Sequence, residues 1–416
     1  MKSLRSNLAR LFGWGERIIR VNLRSLLRGW AWLFSGQVIG TATALLLALG
    51  YAHFLSQETY GTYKYVLAIF GILSIFSLPG MGDAVQKGVA YGKEGVFWDT
   101  FKKRLRWSFL GSLLSVAIGV YYFINGNSLL SAVFVSVSPF LVFTDTFSHF
   151  NALLMGRKQY KQVSFYAMGI QVLSALIIFT VVFLTNEVLY VVLAYIASFT
   201  VFRGLALWDT VRRYPPNNVH DENGTKYGSH MSVLNAFGLV SGQLDSILLW
   251  HFLGPVPLAI YSFAQAASDH ARKAFKLITT SMAFTTFAGQ DKGTIQTTLL
   301  RKILLAHLAT VPLAIVLALV APYLYYFLFP TYVASIPYAQ VMLLLLAFTP
   351  VRFLSTAVNA KGSIKDIYFM NLSASVTQSL LLAVLIPFFG IWGAILAAPL
   401  QALIIGFISL RIFKRM

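Results

Sequence analysis

Ionisable side chains inside apolar sequence are costly, and this chain concentrates them in residues 258–287, LAIYSFAQAASDHARKAFKLITTSMAFTTF. The stretch is long enough to cross a bilayer as one helix. On a helix Gln265, Asp269, Arg272, Lys276 and Thr280 fall at i+3 or i+4 spacing, with Lys273 beside Arg272 and four residues from Asp269, and form a single polar stripe. Each Arg, Lys or Asp near a span centre costs roughly 2.5–3.5 kcal/mol, against a gain of only about 0.3–0.6 for each Leu, Ile, Phe or Val. The stripe is therefore expected to face protein or water inside a bundle. Its excess of cations suits an anionic ligand.

Three further polar faces accompany it. Asn235, Gly238, Gly242 and Asp245 recur at i, i+3, i+7 and i+10, as do Thr349, Arg352, Thr356 and Asn359. Ser138, Asp145, Ser148 and His149 share a face near Pro139, where a helix break is expected. The substrate-binding candidates are thus Arg272, Lys273, Lys276, Arg352, Asn235 and Gln265; Asp145, Asp245, Asp269 and His149 are candidates for carrying a coupling ion. Asn371, Ser375 and Gln378 could hydrogen-bond a polar ligand.

Each group also has a structural reading. Lys64 and Asp83 sit close enough to span ends to snorkel, and Arg352 and Lys276 can reach headgroups. Asp269 and Lys273 form an i,i+4 pair that can simply neutralise itself. Arg272 and Asp245 are hardest to explain structurally. His53 and His251 read as interfacial ring anchors, and Gly36 with Gly40 as a close helix contact.

The elements that must position these groups are membrane spans. The 416 residues are 57% hydrophobic and 11% charged, with a mean hydropathy of +0.70. Soluble domains carry about 25% charged residues, so the composition is that of an all-α polytopic membrane protein. There is no cysteine, which excludes disulfides and thiol chemistry. The net charge of +19 would suggest nucleic acid in a soluble protein, but its placement argues for membrane topology and no nucleic-acid partner.

Twelve spans are expected, at 29–54, 61–82, 107–124, 129–155, 163–184, 189–211, 229–253, 258–287, 303–326, 335–358, 367–387 and 391–413. With both termini cytoplasmic, every one of the 33 Lys and Arg residues except Lys64 falls in cytoplasmic segments or at their borders. The opposite connections are very short and carry only Glu58 and Glu187. This predicts a multi-pass protein of the cytoplasmic (inner) membrane. Residues 1–28 interleave seven basic residues with leucines and isoleucines, a basic amphipathic segment suited to anionic membrane lipids. A mitochondrial targeting segment has similar chemistry.

The two halves echo each other: YAHFLSQETYGTYKYV (51–66) aligns with LWHFLGPVPLAIYSFA (249–264). Six spans separate the copies, so they share orientation, as in a parallel repeat. This gives an N-terminal six-helix lobe at 29–211, a cytoplasmic linker at 212–228 and a C-terminal six-helix lobe at 229–416. No enzyme signature is present: GVAYGKE (88–94) misses the phosphate-loop spacing by one and has Glu94 where Ser or Thr is required, and there is no HExxH or Cys/His metal set.

FLSQETYGTYKYVLAIFGILSIFSLPGMGDAVQK (54–87), FLGPVPLAIYSFAQA (252–266), MGRKQYK (155–161) and FFGIWGAILAAPL (388–400) resemble the polysaccharide-exporter, or Wzx-type O-antigen flippase, branch of the multidrug/oligosaccharidyl-lipid/polysaccharide (MOP) superfamily. The resemblance spans nearly the whole chain through diffuse patterns of Gly, Tyr and small residues. It implies two six-helix lobes around a central cavity and alternating access on a polyprenyl-pyrophosphate-linked oligosaccharide. No cofactor is implied beyond a coupling H+ or Na+; polysaccharide polymerase or chain-length proteins are the partners to expect. The chain is more compact than the usual pattern, and no single substrate-binding residue is matched by motif. A cation-coupled drug or metabolite antiporter of the same superfamily is the competing reading, with Asp145 and Asp245 as its carboxylates. A membrane glycosyltransferase or polymerase is disfavoured by the short external loops, and a pure scaffold by the number of buried charges.

Overall fold

A computed structural model describes residues 23–276 and 292–415. The first half of the chain forms α1 (Leu23–Phe54), α2 (Gln57–Leu73), α3 (Met81–Ala90), α4 (Val96–Ile124), α5 (Ser128–Phe147), α6 (Phe150–Gly156), α7 (Tyr160–Leu184) and α8 (Val188–Arg213). The second half forms α9 (Gly224–Ser241), α10 (Leu244–Leu253), α11 (Pro255–Lys276), α12 (Lys292–Leu328), α13 (Ile336–Leu344), α14 (Phe353–Lys361), α15 (Ile364–Phe389) and α16 (Ile391–Arg415). The fold is all-α among the described residues.

Local signals explain many ends. Ser56 caps α2 by accepting from the Thr59 N–H, Asn127 caps α5 likewise, and Ser363 with Asp366 forms a reciprocal capping box on α15. Gly390, at φ 56°, makes the left-handed turn that lets α16 fold back along α15.

Among the described residues eleven helical stretches are long and apolar enough to cross a membrane. The expected span at 258–287 is not among them. Its described part, α11, carries Gln265, Asp269, Arg272, Lys273 and Lys276, and residues 277–287 lie outside the described residues, as do 1–22 of the basic N-terminal segment. Several other spans are interrupted. The fourth continues through Pro139 and breaks instead at Ser148–His149, where the freed Asp145 carbonyl is taken by Arg104 and Ser148. The seventh breaks at Gly242–Gln243. The tenth alternates 3₁₀ and α turns over Pro330–Lys361, with Pro337 opening α13 and Pro350 inside a 3₁₀ stretch.

The largest core joins the two halves. Val66, Phe70, Phe134 and Val191 bury themselves together with Leu249, Leu258, Tyr332, Ile386 and Ala397. Large apolar side chains such as Phe183, Leu308, Phe327 and Phe388 are exposed on the outside of the bundle, as lipid contact requires. Gly36 packs against Ser164, whereas Gly40 has nothing near it, so only one member of that pair serves helix contact.

Candidate functional site

The break between α9 and α10 decides where Asp245 points. It sets the carboxylate in the first turn of α10, where donors converge on it. Oδ1 accepts from the Ser246 N–H at 2.6 Å; Oδ2 accepts from the Tyr261 hydroxyl at 2.7 Å and the Gln265 amide at 3.3 Å. Every one of these groups donates, the arrangement an ionised carboxylate requires. One turn beyond Gln265, Asp269 pairs with Arg272 at 3.7 Å.

Asp245, Tyr261, Gln265 and Arg272, though not Asp269, line a cavity of about 140 Å³ between α10, α11, α13, α15 and α16. Asp245, Tyr261, Gln265, Arg272, Thr349 and Gln378 supply its polar wall; Met342 and Leu346 its apolar floor. Arg272 is 41% exposed and keeps most of its five-donor fork open, since its one ion pair among the described residues is with Asp269. A cation, a carboxylate and neutral hydrogen-bonding groups thus share one small chamber.

Gln265, Asp269 and Arg272 share one stripe in the sequence and Asp245 belongs to another face; the structure brings Asp245, Gln265 and Arg272 to one cavity, with Asp269 paired to Arg272 beside it. Lys273, Lys276 and Arg352 lie on described helices, but their side chains lie outside the described residues. Asn235 is exposed on α9 beside Asp83, away from the cavity.

Asp145 and His149 sit in a separate network in the first half. Arg104 donates to the Ser77 carbonyl at 2.8 Å, the Asp145 carbonyl at 2.8 Å and His149 Nδ1 at 2.9 Å. Guanidinium can only donate, so Nδ1 carries a lone pair. His149 Nε2 faces Thr100, whose hydroxyl donates to the Val96 carbonyl and accepts the Nε2 proton. His149 is thereby locked as the neutral Nε2–H tautomer, buried at 1% exposure. The Asp145 carboxylate pairs with Arg203 at 3.3 Å.

Glu94, the residue that spoils a phosphate loop, has a different task. It accepts Arg157 Nε at 2.7 Å and Nη2 at 2.5 Å, and also the Asn217 N–H at 2.9 Å. Arg157 donates onward to the carbonyls of Tyr214 and Pro215. The hydrogen bonds from Arg157 hold the Glu94 carboxyl below its usual range, against the opposing effect of burial. The segment joining the halves is so clasped to the loops at 91–95 and 157–159. The partners are distant in sequence, and no local motif announces them.

Residues 26–288 match the family model described as "Polysaccharide biosynthesis protein". No curated protein matches the chain in sequence. Solved structures share the fold at low identity. One is a lipid II flippase MurJ in an inward closed conformation, with TM-score 0.67, 13% identity, and 92% of this chain and 87% of that one covered. A second is a MATE-family multidrug resistance transporter of the MOP superfamily in an inward-facing conformation, with TM-score 0.65, 15% identity, and coverage of 91% and 96%. A MOP-superfamily transporter from Pyrococcus furiosus, described by the reverse polarity of its binding pocket, gives TM-score 0.51, 12% identity, and coverage of 93% and 95%. The fold is that of the MOP superfamily, and the chain belongs to the polysaccharide biosynthesis protein family.

Proposed function

We propose that the protein is a flippase that carries a polyprenyl-pyrophosphate-linked oligosaccharide across the cytoplasmic membrane by alternating access. Two six-helix lobes, with both termini cytoplasmic, would supply the moving parts. The observation that carries this reading is Arg272 facing a cavity beside neutral hydrogen-bonding groups, in a chain of the polysaccharide biosynthesis family. A guanidinium fork matches phosphate oxygens in geometry as well as charge. Whole-ligand pockets measure about 300–1,000 Å³. A chamber of about 140 Å³ suits a headgroup fragment, with saccharide and lipid lying outside it. The lipid II flippase MurJ, which shares this fold, is a precedent for a lipid-linked substrate on it. Cell-surface polysaccharide synthesis, O-antigen among its products, would then supply polymerase or chain-length proteins as partners.

Asp245 in the same chamber favours coupling to a cation, H+ or Na+, and it is also the observation behind the antiporter alternative. Translocation of a labelled polyprenyl-pyrophosphate sugar in proteoliposomes tests the choice. Wild type is expected to transport it, Arg272→Ala to lose at least 90% of the rate, and Arg272→Lys to retain an intermediate rate. Undiminished transport by a folded Arg272→Ala protein removes Arg272 from the mechanism.

A further inference from the structure

Lys64 is the single basic residue that the cytoplasmic set leaves out, and the structure gives it a setting that a snorkelling side chain would not have. It lies in the middle of α2, half-buried. Its neighbours on both sides touch the second half of the chain. Tyr60 packs on Phe263 with ring centroids 4.9 Å apart, and Tyr65 stacks on Trp250 at 4.1 Å. A Cβ on Gly61 would lie 1.9 Å from the Pro255 carbonyl oxygen, and one on Gly71 would lie 2.8 Å from the Gln243 amide. Gly61, Lys64, Ala68 and Gly71 follow at i, i+3, i+7 and i+10, so Lys64 belongs to the stripe pressed against α10 and α11.

That stripe faces carboxylates. Gln243, which meets Gly71, precedes Asp245 by two residues, and Lys64 lies within electrostatic reach of both Asp245 and Asp269. Lys64 has no salt-bridge partner within 4 Å among the described residues, so it is not consumed by a fixed ion pair. Among the described side chains, two cations, Lys64 and Arg272, therefore face two carboxylates, Asp245 and Asp269, with one cation supplied by each half of the chain. A long, flexible ammonium held at a distance is a mobile counter-charge, unlike the fixed guanidinium fork.

We propose that Lys64 is a tethered cation shared by Asp245 and Asp269 across the seam between the halves, and that an anion entering the cavity competes with those carboxylates for it. The competition rests on the flippase reading; the tie itself does not. In this arrangement the anion draws Lys64 and Arg272 to itself. Asp245 and Asp269 are left uncompensated, and a solvent cation must replace the tethered one. Entry of the anion and uptake of the cation then follow from one charge balance.

The experiment has two arms in purified, detergent-solubilised protein. The first is a double-mutant cycle on the thermal unfolding midpoint: wild type, Lys64→Met, Asp245→Asn and the double variant. Each single change strands a charge and the double removes both, so the double variant is expected to unfold higher than the sum of the two shifts demands. A second cycle with Asp269→Asn covers the case in which Asp245→Asn does not fold. Additive shifts in both cycles overturn the tie. The second arm adds inorganic pyrophosphate at constant ionic strength. It is expected to raise the wild-type midpoint, with the rise at least halved in Lys64→Met. Coupled cycles with no pyrophosphate shift in wild type support the tie but overturn the competition, and they count against the anionic headgroup. A full shift in Lys64→Met overturns the competition while leaving that headgroup reading intact.

Discussion

Arg157→Ala should release the segment that joins the halves. Arg157 holds both oxygens of Glu94 and the carbonyls of Tyr214 and Pro215, four hydrogen bonds in all. Breaking a buried ion pair from one side costs about 3–5 kcal/mol. Here the side chains are 20% and 11% exposed, and water can reach part of the gap, so the lower end of that range, about 3 kcal/mol, applies. At 1.4 kcal/mol per tenfold, that is roughly a hundredfold in the local opening equilibrium. The amides of Asn217, bonded to Glu94, and of Gly95, bonded to the Val219 carbonyl, report that opening directly. Hydrogen exchange of the solubilised protein should therefore speed up roughly a hundredfold at both amides, with α5 and α8 unaffected. Arg157→Lys should give a smaller increase, since a point charge cannot span both oxygens. A change of less than about threefold in Arg157→Ala would refute the clasp, because ordinary loop protection would then suffice.

Acid should loosen the same clasp. The Glu94 carboxyl is held below its usual range, so its contribution is complete above about pH 4.3 and is lost as pH falls through the lowered value. Exchange at Asn217, corrected for intrinsic rates, should rise on acidification in wild type and stay flat in Glu94→Gln. Gly61→Ala places a Cβ 1.9 Å from the Pro255 carbonyl, backbone against backbone. We expect a loss of about 1–3 kcal/mol, read as a lower unfolding midpoint, with Gly40→Ala as a neutral control. Arg104→Met strands the Ser77 carbonyl and His149 Nδ1 at about 1–3 kcal/mol per group, while the Asp145 carbonyl keeps its bonds from Ser148. It should sharply lower the yield of folded protein in size-exclusion profiles, while transport per folded molecule is preserved.

How much of this was legible beforehand depended on the period of the pattern involved. Spans showed because apolar runs of about 20 residues have no other common use. The polar stripe of α11 showed because charges recur at i+3 and i+4, and Asp245 because a small-residue face ended in an acid. What did not show were contacts set by tertiary geometry. Pro139 drew the expected helix break toward itself, yet the break lies at Ser148–His149, where Arg104 from another helix satisfies the freed carbonyl. Glu94 and Arg157 are 63 residues apart and belong to no motif. Lys64 carried one signal, that it alone fell outside the cytoplasmic set. Its pairing with the second half became visible only when Gly61 and Gly71 fixed which face of α2 meets α10 and α11.

Asp145 and His149 show the opposite case. The helix break at Ser148–His149 divides their expected common face. His149 is buried and held by Arg104, whereas the Asp145 carboxylate pairs with Arg203 and stays partly exposed. An imidazole in a span carries a coupling ion only where it is left accessible, and one-dimensional spacing does not report that.

The proposed flippase reading assigns the chamber beside Arg272 to an anionic lipid-linked saccharide and not to a cationic drug. The most direct measurement offers both to the same proteoliposomes: a labelled polyprenyl-pyrophosphate sugar and a fluorescent organic cation. Translocation of the lipid-linked sugar, abolished by Arg272→Ala, is expected, with no movement of the cation. Transport of the cation alone, lost in Asp245→Asn and indifferent to Arg272→Ala, would contradict it.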